Sequence, residues 1–80
     1  MKCTVKLVWD EETDIWYTET SDIPGLVLHS SSFDTLIERV RLAAPELLEE
    51  NLNYAGPVYI SFEAERIAKG IVEHKEVAAV

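Results

Sequence analysis

Residues 14–26 of this chain, Asp-Ile-Trp-Tyr-Thr-Glu-Thr-Ser-Asp-Ile-Pro-Gly-Leu, constrain its fold more than any other stretch. Residues 15–20 are rich in β-branched and aromatic side chains, which suit a pleated strand. Ser21 and Asp22 can bond the local backbone. Pro24 presets φ and Gly25 tolerates a positive φ, so the pair predicts a tight turn that opens another strand. A helix signal follows at once. Ser31 or Ser32 can cap it, and Ser31 with Asp34 also has a capping-box-like spacing. A strand, a rigid corner, a short strand and a capped helix in that order leave few architectures open.

The flanking segments complete the pattern. Cys3, Val5, Leu7 and Trp9 alternate with Lys2, Thr4, Lys6 and Val8, which predicts a half-buried strand over 2–9. Residues 10–14 are a charged connector of hairpin length. In the second strand Ile15, Tyr17 and Glu19 fall on one face, with Trp16, Thr18 and Thr20 on the other. Leu26 to His29 form the expected third strand. Phe33, Leu36, Ile37, Val40, Ala44, Leu47 and Leu48 then recur at three and four, one apolar stripe of a helix. Pro45 falls inside it and predicts a kink or local break near residues 41–44. After Gly56-Pro57, Val58, Ile60, Phe62 and Ala64 alternate with Tyr59, Ser61 and Glu63 as a fourth strand.

The expected fold is therefore α+β, in the order β-β-β-α-β. An antiparallel meander and a fourth strand share one sheet, with a single helix packed on one face. Residues 1–65 form the domain. Residues 66–80 read as a short helix or a disordered tail: Ile67, Ile71, His74 and Ala78 have helical spacing, which Gly70 weakens.

Composition narrows the function. Seven basic residues against fifteen acidic ones give a net charge of −8, which argues against direct binding to nucleic acid or an anionic membrane. No apolar run approaches the length of a membrane span. The lone Cys3 cannot form an internal disulfide, which fits a reducing cytoplasm. Eighty residues bury only a small core, so one sheet face stays uncovered. Val8, Trp16 and Tyr59 are expected there as an apolar patch, the interface of a homo-oligomer, most simply a dimer.

Chemistry is sparse. Asp10, Glu12 and Asp14 alternate as in a calcium loop, but the glycine and closing glutamate of such a loop are missing. Asp10 and Asp22 end neighbouring segments and could approach each other as the remnant of a metal-dependent nuclease, although further ligands are lacking. His29 and His74 stand alone, and Ser30 to Ser32 suit a strand exit and helix cap rather than a nucleophile. No catalytic residue, metal or cofactor follows from these residues.

The strand ending in Trp16-Tyr17-Thr18, the corner Ser21-Asp22-Ile23-Pro24-Gly25-Leu26 and the Ser-capped helix resemble the HicB antitoxin family. The run Pro45-Glu46-Leu47-Leu48-Glu49 followed by Asn51 is similar to a short branch of the HicB-like superfamily. The resemblance covers residues 2–64. It implies a reduced ribonuclease-H-like unit that has lost its nuclease carboxylates. In full-length antitoxins that unit masks the active site of a small basic partner, the messenger-RNA-cleaving HicA toxin. Those antitoxins also carry a DNA-binding domain, for which residues 66–80 are too few.

The functional expectation is a non-enzymatic, acidic interaction domain, an antitoxin-like inhibitor of a small basic toxin. Asp10, Glu11, Glu12, Asp14, Glu19 and Asp22 are the candidate contacts. The alternatives are the residual nuclease and a subunit that only self-assembles.

Overall fold

A computed structural model describes residues 1–74. The elements run β1 (Lys2–Asp10), β2 (Ile15–Ser21), β3 (His29–Ser30), α1 (Phe33–Leu52) and β4 (Tyr59–Glu65). They form one four-stranded sheet in the order β3-β2-β1-β4. The first three strands are the expected antiparallel meander, and β4 joins β1 in parallel. The α+β reading therefore holds, with the first strand at the centre.

The period of two in β1 decides which face is buried. Cys3, Val5 and Leu7 point to the helix and are almost fully buried. Opposite them, Leu36, Val40, Ala44 and Leu48 form one row of α1 at a spacing of four, each fully buried. Ile23 and Leu26, from the corner before β3, close the core. Trp16 packs edge-on against Phe33, with ring centroids 4.7 Å apart, and against Trp9 at 5.6 Å.

The corner is built as its residues require. Ser21 Oγ accepts from the Ile23 N–H at 2.8 Å. Pro24 and Gly25 (φ 76°) occupy the centre of a turn closed by the Leu26 N–H on the Ile23 carbonyl. The third strand is shorter and later than expected, only His29–Ser30. Thr18 explains the change. Its hydroxyl oxygen accepts the Leu28 N–H at 3.1 Å, so a side chain replaces a ladder bond where regular pairing would run.

Ser32 is the helix cap; its Oγ accepts the Thr35 N–H at 3.3 Å. The expected break at Pro45 is absent, and α1 continues through it to Leu52. Pro45 lies on the exposed side, where the unbonded Arg41 carbonyl can meet water. Asn53, with φ 52°, ends the helix in the left-handed region. Residues 66–74 have no regular secondary structure, so no helix forms there, and Ala78 lies outside the described residues.

Candidate protein-binding surface

The helix covers one face of the sheet, leaving the other open. The strand registers define that open face. Lys2, Thr4, Lys6, Val8 and Asp10 of β1 lie between Tyr17 and Ile15 of β2 and Tyr59, Ser61, Glu63 and Glu65 of β4. Lys6 faces Thr20 while Leu7 faces Thr18, so Glu19 is the extra residue of a β-bulge.

Lys6 is the hub of the face. Its ammonium meets Glu65 at 2.9 Å and Glu19 at 3.5 Å. The hydrogen bond and charge of Glu65, then the charge of Glu19, raise the Lys6 pKa above its ordinary value. Both bridges are solvent-exposed and add little to stability. Their effect is on the field of the face: one lysine is answered by two glutamates, and the face remains acidic.

The candidate acidic contacts fall into three places. Asp10, Glu11, Glu12 and Asp14 share the β1–β2 connection. Asp10 orders it: Oδ1 accepts the Glu12 N–H at 3.0 Å and Oδ2 accepts the Thr13 hydroxyl at 2.9 Å. Glu19 stands mid-sheet beside Lys6. Asp22 lies at the far end, where Oδ2 accepts the Thr4 N–H at 2.9 Å. The expected approach of Asp10 to Asp22 is thus corrected. Asp10 lies six residue steps along β1 from Thr4, about 20 Å at the usual rise per residue. Each carboxylate already holds backbone or a hydroxyl nearby. Among the described residues no three His, Cys, Asp or Glu groups are placed to hold a metal ion.

The expected apolar patch is corrected as well. Trp16 belongs to the helix-covered face, because it opposes Trp9 and packs on Phe33. Val8 and Tyr59 do share the open face, but Tyr59 opposes Lys2 and Val8 opposes Glu65, at opposite ends of β4. They form no common patch. His29 and His74 are both exposed, and the His29 carbonyl accepts from Arg39 Nη1 at 3.1 Å.

Two features escaped the sequence reading. Glu63 and Glu65 reinforce the acidic face, and the alternation of β4 with β1 could have revealed them. The second is an open groove of about 300 Å³ between α1 and β4, lined by Ile37, Arg41, Val58, Tyr59, Ile60 and Phe62. It exists because α1 packs closest over β2 and β3, leaving the inner side of β4 partly uncovered. No periodicity in a single segment could reveal that offset.

A sequence profile described as a domain of unknown function, DUF1902, matches residues 2–73. The chain belongs to the DUF1902 family. The DUF1902 match extends past β4 into the segment at 66–73. No curated protein matches this DUF1902 chain. A solved structure is similar to it: the hypothetical protein TTHA1013 from the extremely thermophilic bacterium Thermus thermophilus. The two are 32% identical, with a TM-score of 0.73, over 88% of this chain and 100% of the other. Neither match carries the HicB name. Among the described residues of this DUF1902 chain, no helix is long and apolar enough to cross a membrane.

Proposed function

We propose that this chain is a non-enzymatic protein-binding domain that covers the basic surface of a small cytoplasmic partner. In its finer form the reading is HicB-like: an antitoxin-like inhibitor masking an RNA-cleaving toxin. The observation that carries it is the acidic open face. Asp10, Glu19, Glu63 and Glu65 lie on one uncovered sheet surface, with Glu11, Glu12 and Asp14 at its rim. Lys6, inside that surface, is already matched by two glutamates. Such a field steers a basic protein toward the face and disfavours acidic ones. Tyr17 and Tyr59 give it aromatic contact area of the kind interfaces favour.

The nuclease alternative draws no support from the placement of Asp10 and Asp22. The direct test mixes the protein with a small basic RNA-cleaving toxin of the HicA type and follows both binding and RNA cleavage. A stoichiometric complex that blocks cleavage and weakens with salt is expected. The combined variant E11K/E12K/D14K should slow association by about tenfold or more at low salt. A partner that is neither bound nor inhibited at low salt would overturn the reading.

A further inference from the structure

The two edges of this sheet are treated very differently. On one side β3 is only two residues long, which leaves little backbone to pair with. On the other side β4 runs for seven residues, in register with β1 throughout, without a bulge or a proline. The Tyr59 N–H donates to the Met1 carbonyl, so alternation aims the backbone groups of Ile60, Phe62 and Ala64 away from β1. Monomers usually blunt an edge of that kind.

Two apolar surfaces border it. The groove under α1 runs beside the first half of β4. The segment after β4 carries Ile67, Ile71 and Val72 at 74%, 76% and 99% exposure. This segment leaves from the far end of β4, where Arg66 sits over the Trp9 ring at 4.3 Å, and its exposed side chains do not line its own groove.

We propose that β4 pairs antiparallel with β4 of a second copy, and that each copy's 67–72 segment packs against the other's groove. A twofold axis through Phe62 makes Phe62 its own partner and sets Ile60 opposite Ala64. All three outward-facing residues then exchange hydrogen bonds. The same register sets Glu63 opposite Ser61 and Glu65 opposite Tyr59, so no glutamate faces another. It also sets Arg66 opposite Val58. Ile67 of the second copy therefore emerges at the groove end of the first, where Val58 and Ile37 wait. Residues 58–74 with Ile37 and Arg41 amount to about 20 residues a side, the size of a standard stable interface. Asp10, Glu11, Glu12, Asp14 and Glu19 lie off this seam, so that part of the acidic face stays open to a partner.

Sedimentation equilibrium of the whole protein tests it. A reversible dimer is expected. Ala64→Pro removes one outward N–H without touching the β1 ladder, and it should yield a folded monomer. Ile71→Asp with Val72→Asp cannot disturb the core, and together they should raise the dimer Kd by about tenfold or more. A wild-type protein that stays monomeric at about 100 μM would overturn the proposal. So would a dimer whose Kd the tail variant leaves unchanged.

Discussion

Asp22 and Thr4 hold each other twice: the Thr4 N–H donates to Asp22 Oδ2 at 2.9 Å, and the Asp22 N–H donates to the Thr4 carbonyl at 3.1 Å. The second bond extends the β1–β2 pairing past Ser21, and the first fixes where the corner departs. Asp22 is thereby a clasp between strand and corner. Asp22→Ala should cost about 1–2 kcal/mol, since a charge-assisted bond is lost at a site water can reach. Asp22→Asn, which keeps an acceptor oxygen, should recover most of that loss. Urea denaturation of the three proteins measures both.

Gly56 adopts φ 138°, and a Cβ there would lie 2.9 Å from Tyr54 Oη. That hydroxyl is committed, donating to the Pro57 carbonyl at 2.6 Å. Gly56→Ala should therefore destabilise by roughly 1–3 kcal/mol, through backbone strain and displacement of Tyr54. Thermal unfolding followed by circular dichroism reads the loss. An unchanged midpoint would show that the α1–β4 connection has another accessible path.

Pro45 stands within α1 and leaves the Arg41 carbonyl without its helical partner. Pro45→Ala should raise stability by about 1–3 kcal/mol, as the bond is restored on an exposed face. A fall in stability instead would mean that the proline sets the curvature with which Ala44 and Leu48 meet the sheet.

Lys6 titrates above the ordinary lysine value because Glu65, and then Glu19, favour its charged form. A raised lysine pKa contributes stability that is complete below the unfolded value and is lost as pH rises through the folded one. Glu65→Gln should lower the Lys6 pKa toward its ordinary value and weaken the alkaline dependence of unfolding. NMR titration of the Lys6 side chain follows the shift directly.

Glu38 shows the opposite sign. Its bidentate pairing with Arg41 lowers its pKa below the ordinary carboxylate value. The associated stability is present above the unfolded value and fades as pH falls through the folded one. Arg41→Gln should return the Glu38 pKa to the carboxylate range, as measured by carboxyl-carbon NMR. Because both side chains are exposed, acid unfolding as a whole should barely move.

The elements that a single period defines were legible in the chain. Leu36, Val40, Ala44 and Leu48 announce the buried row of α1, and Cys3, Val5 and Leu7 that of β1. What escaped depends on relations between segments. The alternation of β2 does not tell which face of Trp16 is covered, because nothing local says that it opposes Trp9. Leu26 and Leu28 look like strand residues and suggest an earlier third strand, whereas Thr18 bonds their backbone through its side chain. Asp10 and Asp22 both end a strand-like run, and only the antiparallel register shows that they sit at opposite ends of the sheet. Of the acidic surface, Asp10, Glu11, Glu12 and Asp14 were visible as one run, while Glu63 and Glu65 joined it through the parallel pairing of β4.

That parallel pairing also sets how the chain must fold. Lys2 lies beside Tyr59 and Val8 beside Glu65, so each contact of β1 with β4 joins residues separated by all of β2, β3 and α1. The β1–β2 hairpin and α1 can form from local contacts, but β4 cannot dock until everything between has been gathered in. During synthesis, β1 leaves the ribosome before the other strands of the sheet and waits longest for its second neighbour, with one side of the future central strand unpaired. The closing step is the arrival of β4, and the rate of that long-range closure should limit how fast this small protein reaches its native state.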